Sequence, residues 1–258
     1  MIIKVRSIEA FLVFLKGIGR ISPHCHFMFK ENGVVVRSVT EGKTVRFNMF
    51  TNAVMADGKE FDVSFMNVGN LVKSLSVVAS SENTDSIDIT YDEPFLFYER
   101  VARFKLRTVK YETIEKYVSP EFGKISEMAC SFDTTSEDIG KVIQQMTLFA
   151  GQDMNVYLKE RGGQVVCDLD NHSKKVSDSI GIPLGTMWRG TPDSLIGIKM
   201  DSFKLINLFP NGNIIVMITK KGVLISDTEC QIEPKKNESL MPESYKIKMG
   251  LICSTLKP

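Results

Sequence analysis

The chain has 258 residues, 43% of them hydrophobic and 24% charged, with a formal net charge of +1. This length admits two domains of ordinary size or one large domain, and the composition is typical of a folded globular protein. The near-zero net charge excludes a chain that binds nucleic acid through bulk positive charge, so any electrostatic function depends on where the charges lie. No run of about 18 apolar residues occurs, so we expect no membrane span.

The compartment is indicated by the N-terminus and the cysteines. The stretch MIIKVRSIEAF lacks the apolar segment and the small-residue cleavage site of a signal peptide, so we expect none. The five cysteines lie far apart and form no C-x-x-C pair. An odd and scattered set is typical of reduced, mostly buried thiols, which favours an intracellular protein.

The first half of the chain begins with a helix and continues with strands. Ser7 is expected to cap a helix that runs to about Arg20, since apolar residues recur there at helical spacing. The segments HCHFMFK, GVVVRSV and KTVRFNM then alternate at strand spacing, and the KENG turn between the first two uses the positive φ of Gly33. A short strand FDVSF leads to a helix capped by Asn67, after which SIDITY, FLFYER and ARFKLRTV are expected strands.

The second half repeats this order. The hairpin sequence VYLKERGGQVV (156–166) matches FMFKENGVVVR (27–37), half the chain length earlier. A helix capped by Asp133 or Thr134 and running to about Ala150 precedes the second hairpin, as the first helix precedes the first. Three landmarks in the same order indicate two copies of one domain.

A second helix and a linker complete the repeat. SLIGI followed by MDSFKLINLF matches FDVSF followed by MNVGNLVKSL, with Asp201 as the expected cap and Pro210 as the stop. The segment KYETIEKYVSPEFGK (110–124) fits neither copy. The sequence therefore predicts an α+β protein with one domain over 1–109, a linker over 110–124 and a second domain over 125–258.

The expected helices carry basic or amide side chains opposite their apolar faces. Acidic residues concentrate in the first turns, where they complement the helix dipole. For any one residue, an ordinary solvated helix surface is the simpler interpretation. Taken together, the four helices predict a positive surface that contacts a phosphate backbone without reading sequence. The basic residues are Lys16, Arg20, Lys73, Lys141 and Lys204.

The sequence contains few candidate catalytic or metal-binding residues. His24-Cys25-His26 approaches a metal-ligand pattern, but on a strand the two histidines share one face while Cys25 points to the other, and no second cluster follows. The chain contains no P-loop, no G-x-S-x-G and no H-E-x-x-H. We therefore expect no metal, no cofactor and no enzymatic activity.

The chain resembles the sliding clamps of DNA replication, of the proliferating cell nuclear antigen (PCNA) type found in archaea and eukaryotes and, more divergently, in T4-like phages. The resemblance covers nearly the whole chain. It rests on the first helix followed by FMFKENGVVVRSVTEGKTVRF, on FDVSFMNVGNLVKSL and on the C-terminal YKIKMGLICSTLKP. The segment CQIEPKKNESLMPES (230–244) departs from the family by being longer and more polar. The resemblance implies the DNA-clamp fold, with helices on the inner face of a continuous antiparallel sheet in a head-to-tail ring.

The number of chains in such a ring follows from helix width. If each helix occupies about 10 Å of the circumference, eight helices from two chains leave a bore of about 15 Å, which is too narrow for a duplex. Twelve helices from three chains leave roughly 28 Å, which admits double-stranded DNA with a layer of water. This estimate and the family resemblance both favour a homotrimer.

The resemblance implies a DNA polymerase processivity factor that encircles double-stranded DNA. Such a ring tethers the polymerase and other replication and repair proteins, which raises their effective concentration at the DNA, and it is opened by a clamp loader. It would act in the nucleus or cytoplasm, wherever the DNA is replicated, or in the host cytoplasm if the protein is viral or from a phage.

The resemblance also implies two further surfaces. Client peptides would dock near the linker and the C-terminus, at Val39, Val45, Ile114, Tyr117, Val118, Thr255 and Pro258. Ring closure would pair the edge strand 102–109 of one chain with 174–182 of the next. The residues expected at that interface are Phe104, Leu106, Arg107, Asp178 and Ile180.

Two alternatives stay open. One is a clamp-like factor that acts as a monomer or in a hetero-oligomeric ring, as some viral processivity factors and checkpoint-type clamps do, and the mass in solution distinguishes it. The other is an unrelated enzyme with duplicated α+β domains, which a pocket of converging titratable groups would favour.

Overall fold

The computed structural model describes residues 1–82, 84–120, 122, 127–149, 155–170, 180–190, 196–233 and 244–256. It divides into two compact units, the first formed by residues 1–121 and 231–249 and the second by residues 122–230 and 250–258. The chain passes from the first unit to the second within the segment 110–124. Within the described ranges, no helix is long and apolar enough to cross a membrane.

The first unit consists of antiparallel sheets and three helices. Its strands are β1 (Ile2–Val5), β2 (Cys25–Lys30), β3 (Gly33–Val39), β4 (Val45–Thr51), β5 (Val54–Ala56), β6 (Phe61–Phe65), β7 (Ile87–Asp92), β8 (Phe95–Glu99) and β9 (Arg103–Arg107). Its helices are α1 (Ile8–Ile21), α2 (Val68–Ser81) and the short α3 (Tyr111–Ile114), which continues as a 3₁₀ turn over Glu115–Tyr117. One sheet has the order β5-β1-β7-β8-β9, and a second contains the run β4-β3-β2-β6.

The second unit has the same kinds of elements. Its strands are β10 (Met128–Thr135), β11 (Asn155–Arg161), β12 (Gln164–Asp170), β13 (Ile180–Met187), β14 (Arg189–Gly190), β15 (Ile196–Lys199), β16 (Asn213–Thr219), β17 (Val223–Ile232) and β18 (Tyr245–Ser254). Its helices are α4 (Ser136–Phe149) and the short α5 (Met200–Lys204), followed by a 3₁₀ turn over Leu205–Asn207. One sheet has the order β13-β12-β11-β15, and another runs β14-β10-β16-β17-β18. The first half of β18, up to Met249, belongs to the first unit.

Helices α1 and α2 form where the sequence predicts them. The Oγ of Ser7 accepts a hydrogen bond from the Ala10 amide at 3.1 Å, and the Oδ1 of Asn67 accepts one from the Gly69 amide at 2.9 Å. Both caps are therefore confirmed, because each satisfies an amide that has no partner within the helix. The two helices pack closely, since a Cβ on Gly19 would lie only 3.6 Å from Val68 Cγ1.

Helices α4 and α5 begin at different residues from those predicted. Asp133 and Thr134 belong to strand β10, and it is Thr135 Oγ1 that accepts a hydrogen bond from the Asp138 amide at 3.1 Å. The residue before α5 is Lys199, so the prediction of Asp201 as its cap is wrong. Helix α5 is much shorter than α2: it ends at Lys204 and continues only as the 3₁₀ turn to Asn207, before the predicted stop at Pro210 is reached.

The two repeated hairpins use glycine in different ways. In the second hairpin Gly162 and Gly163 form the turn itself, with φ of +59° and +82°. In the first, Gly33 follows the turn, at φ +154°, and a Cβ there would lie 2.5 Å from the Thr51 carbonyl oxygen. Glycine is therefore needed for backbone conformation at the second turn and for close approach of a neighbouring strand at the first.

The cap of α2 gives a test of the fold. Asn67→Ala removes the hydrogen bond to Gly69 and is expected to lower the free energy of unfolding by about 1 kcal/mol. Asn70→Ala, on an exposed position inside the same helix, is expected to be neutral or slightly stabilising, since alanine favours helix. Urea unfolding followed by circular dichroism measures both, and equal losses would contradict the assignment of Asn67 as the cap.

Candidate DNA interface and partner-docking face

The basic residues predicted on the helices of the first unit are exposed and form no salt bridge within the described part of the chain. Lys16 and Arg20 lie four residues apart on α1, and Lys73 lies on α2. All three are exposed. Among the residues that the structure describes, no acidic side chain lies within salt-bridge distance of any of them. Their charges are therefore available to an external anion.

The basic residues on the helices of the second unit are exposed but paired. Lys141 Nζ lies 2.7 Å from a Glu137 carboxylate oxygen, one turn earlier on α4, and this hydrogen bond raises the pKa of Lys141. Lys204 lies 3.6 Å from Asp201 on α5. Such exposed helical pairs contribute little to stability, but they give each lysine a local partner. The positive surface that the sequence predicts is therefore stronger on the first unit.

The segment that the sequence assigns to the linker is held on the first unit by two histidine–tyrosine contacts. His24 and His26 share the face of β2 that points away from the core, while Cys25 is buried on the other. The ring of Tyr117 lies against His24 at 4.2 Å between centroids, and the ring of Tyr111 meets His26 edge-on at 4.8 Å. We call this arrangement the linker clasp.

Backbone and side-chain hydrogen bonds reinforce the linker clasp. The Val109 amide donates to the Ser64 carbonyl at 3.0 Å, which joins the residue just before the linker to the outer edge of β6. Ser38 Oγ lies 3.0 Å from the Tyr117 carbonyl oxygen. Between these points Ile114 is fully buried, at 0% exposure. The first turns of the linker are thus a packed part of the unit.

His26 is a buried polar group under the linker, with 8% of its surface exposed. Its Nδ1 lies 3.0 Å from Ser64 Oγ, and its Nε2 lies 3.5 Å from an Asp62 carboxylate oxygen. Burial lowers the pKa of His26 and outweighs the opposing effect of Asp62. The histidine is therefore neutral near pH 7 and acts through its ring and hydrogen bonds.

The residues predicted to bind client peptides lie in several environments. Val39, Val45 and Ile114 are buried core residues, and their part in binding client peptides stays a prediction. Tyr117, Val118 and Thr255 are half-buried and accessible, and Pro258 lies outside the described residues.

The strand edges predicted to close a ring lie at the edges of their sheets. Strand β9 is the last strand of its sheet, with Phe104 and Leu106 half-exposed and Arg107 exposed. Phe104 stacks on Tyr98 with 5.9 Å between ring centroids. Strand β13 is likewise the last strand of its sheet in the second unit. Asp178 and the side chain of Ile180 lie outside what the structure describes.

Known proteins were compared with the chain at the levels of sequence and structure. No protein-family model matches it, and no curated protein resembles it in sequence. Solved structures do match over nearly the full length. PCNA from Entamoeba histolytica shares 12% identity at a TM-score of 0.72, covering 99% of this chain and 98% of that one.

Two archaeal clamp structures match equally fully. A chain in the structure of the FEN-1 C-terminal region bound to A. fulgidus PCNA has 12% identity and a TM-score of 0.74, covering 100% of this chain and 99% of that one. A chain of the PCNA2–PCNA3 complex from Sulfolobus tokodaii has 12% identity and a TM-score of 0.66, with 99% of both chains covered. This chain has the PCNA-type clamp fold. The fold class implied by the sequence resemblance, with large antiparallel sheets and few helices, is confirmed.

The histidines at the start of β2 have a structural role that the sequence motifs did not reveal. The alternation His24-Cys25-His26 suggests a metal site, whereas the histidines hold two linker tyrosines. In the described part of the chain, no group of three histidine, cysteine or carboxylate side chains is placed to hold a metal. The sequence shows two histidines on one strand face and two tyrosines in the linker. It does not show that these rings meet, because only the tertiary structure brings them together.

The structure also exposes apolar residues that the sequence pattern does not single out. Val101, beside β9, is 82% exposed, and Val77 on α2 is 57% exposed. In the second unit Leu148 on α4 and Met187 on β13 are also exposed. Alternating periodicity identifies buried faces, but it does not distinguish an apolar residue that tertiary structure leaves uncovered.

The linker clasp predicts a local change in dynamics. Tyr117→Ala removes the ring that covers His24 and is expected to speed amide hydrogen exchange across 109–120 about two- to tenfold, since aromatic pairs contribute about 0.5–1.5 kcal/mol. Glu112→Ala, an exposed residue of α3, is the matched control and should leave exchange unchanged. Hydrogen–deuterium exchange mass spectrometry measures both. Exchange in Tyr117→Ala at the parent rate would show that the linker is held by other contacts.

Proposed function

We propose that this protein is a DNA sliding clamp, a ring-forming processivity factor that encircles double-stranded DNA and tethers a polymerase to it. The observation that carries this proposal is the likeness to PCNA structures over 99–100% of the chain. A clamp works by topology and needs no chemical step, so the protein is proposed to act without catalysis and without a cofactor. It acts wherever DNA is replicated.

The proposed DNA contact is the basic side of the helices. Lys16, Arg20 and Lys73 carry the interaction, because their charges have no partner among the described residues. Lys141 and Lys204 contribute less, because each must leave a nearby carboxylate before it can bind a phosphate. Contacts of this kind are salt-dependent and insensitive to sequence, and they permit sliding.

The proposed partners are a DNA polymerase, a clamp loader and client peptides that dock near the linker. One solved structure of this fold is of PCNA bound to the C-terminal region of FEN-1, which supports peptide docking by clamps. In this chain Tyr117, Val118 and Thr255 are the accessible residues of the predicted docking region. Val39, Val45 and Ile114 would support that region from beneath.

The proposed assembly is a homotrimeric ring closed by edge strands. Strands β9 and β13 both end their sheets, and an edge strand leaves backbone hydrogen-bonding groups free to pair with another chain. Phe104, Leu106 and Arg107 on β9 would meet the segment holding Asp178 and Ile180 on the next chain. The PCNA2–PCNA3 complex shows that chains of this fold occur together in one structure.

The mass of the protein in solution tests the assembly. Light scattering after size exclusion is expected to give about three chains, and Leu106→Glu is expected to shift the mass toward one chain by placing a charge on the β9 edge. Leu148→Glu, a change of the same kind at an exposed position on α4, controls for added charge. A concentration-independent monomer would exclude the homotrimer and favour a clamp-like factor acting alone or with other subunits.

The charge distribution gives a second test. The slope of log binding constant against log salt concentration becomes shallower by about 0.9 for each phosphate that the protein no longer neutralises. Replacing Lys16, Arg20 and Lys73 with alanine is therefore expected to reduce the slope by roughly 2 to 3 on a duplex. Lys141→Ala with Lys204→Ala should change it by less than about 1.

A matched control separates direct phosphate binding from net charge. Lys59→Ala with Lys246→Ala removes two exposed charges from positions off the helices and is expected to leave the slope unchanged. Fluorescence anisotropy of a labelled duplex across a salt series measures all of these variants. Equal slopes for the parent and the triple variant would remove the helices of the first unit from the DNA interface.

A further inference from the structure

The linker clasp holds an ionisable ring beneath it. His26 lies on β2, opposite Arg37 of β3 on one side and Ser64 of β6 on the other. The ring of Tyr111, from helix α3 of the linker, meets the His26 ring at 4.8 Å, and only 8% of the histidine surface stays exposed. Histidine is the side chain whose ordinary pKa, about 6.5, places its change of charge closest to neutral pH.

Both ring nitrogens of His26 have partners on β6, the strand to which the linker is attached. Nδ1 lies 3.0 Å from Ser64 Oγ, and Nε2 lies 3.5 Å from an Asp62 carboxylate oxygen. The carbonyl of the same Ser64 accepts the Val109 amide at 3.0 Å, just before the linker begins. The histidine and the attachment of the linker therefore share one residue.

Charged groups of both signs surround His26. The space between its ring and the linker is also lined by Met1, Arg37, Lys110, Asp62 and Glu93. Burial is the largest effect on His26 and lowers its pKa, Arg37 lowers it further, and Asp62 opposes both. The nearby carboxylates therefore do not offset the loss of water around the ring.

The linker provides the cover that keeps water from His26. Tyr111 touches the ring, and Val118, Ser119 and Pro120 line the same space from the far end of the linker's first turns. If this segment lifts, the ring meets water and its pKa returns toward the ordinary value. A proton then binds more tightly to the open form than to the closed form. By linkage, the closed form is fully stable above about pH 6.5 and loses stability as the pH falls below that value.

We infer that the linker clasp is an acid-sensitive latch, in which protonation of His26 releases the segment 109–120 from the outward face of β2 and β6. The second contact, between His24 and Tyr117, belongs to the same latch, because Ser38 Oγ binds both the His24 and the Tyr117 carbonyl oxygens, at 2.9 Å and 3.0 Å. The latch lies wholly in the first unit, so it depends neither on ring formation nor on DNA.

The histidine ring resonances test the first step. The chain has three histidines, so these signals are few, and His26→Gln identifies the one that belongs to the latch. A pH titration is expected to give a midpoint below about 6.5 for His26 in the parent. Tyr111→Ala uncovers the ring and is expected to raise that midpoint. Thr113→Ala, at an exposed position of the same helix, is the matched control and should keep the parent midpoint.

Hydrogen exchange tests the release of the linker. Protection factors, in which the pH dependence of the chemical exchange step cancels, are compared at about pH 7.5 and about pH 5.5, on either side of the ordinary histidine pKa. Protection across 109–120 is expected to fall several-fold in the parent at the lower pH, and by at most about tenfold, since one proton is involved. His26→Gln keeps a polar side chain that does not titrate in this range, so its linker should show no such fall. Protection in α2 reports the stability of the whole unit and should not change.

Three outcomes would overturn the inference. They are a His26 midpoint at or above about 6.5 in the parent, an equal loss of linker protection in His26→Gln and the parent, and a loss in α2 as large as that in the linker. The third would indicate acid unfolding of the whole unit. If His26→Gln does not fold, Tyr111→Ala decides, because its uncovered histidine should leave linker exchange insensitive to pH. None of these outcomes bears on the mass or DNA-binding measurements, so the clamp proposal is tested separately.

Discussion

Each unit depends on burying the apolar face of its helices and strands, and this burial fixes the role of every other face. On β2 the alternation places Cys25, Phe27 and Phe29 in the core, which leaves His24 and His26 on the opposite side. On α1 most of the apolar residues are buried, which leaves Lys16 and Arg20 in solvent. Hydrophobic burial is the dominant stabilising contribution and is roughly proportional to the buried area, so it decides which face of each element turns inward. The cationic surface and the linker-binding surface are what remains once the core is formed.

The two units use the same elements with different electrostatic results. Helices α1 and α4 have the same length. The basic residues of α1 form no salt bridge with a described residue, whereas Lys141 of α4 pairs with Glu137. An exposed pair adds little stability, but it reduces how readily its lysine binds an external phosphate. In the proposed ring, DNA is held by topology and a few weak contacts suffice, so an uneven distribution of cations between the units fits the proposed sliding.

The first turns of the linker are packed against the first unit. A docking site beside them would therefore be a fixed surface and not a flexible loop. These turns are fixed by Tyr111, Tyr117 and the buried Ile114, so they cannot rearrange freely to meet a partner. A fixed surface avoids the entropic cost of ordering a flexible loop on binding.

The sequence by itself determined the features that depend on neighbouring residues. The repeated helix and hairpin order, the caps Ser7 and Asn67 and the alternating faces of β2 all follow from local periodicity and local hydrogen bonding. Only the tertiary structure decided which residues meet across long separations. His26 and Tyr111 are far apart in the chain, Ile114 is buried by strands it does not adjoin, and the pairing of Lys141 but not Lys16 depends on side-chain placement. Such contacts form by chain closure, and periodicity carries no information about which distant segment will cover a given face.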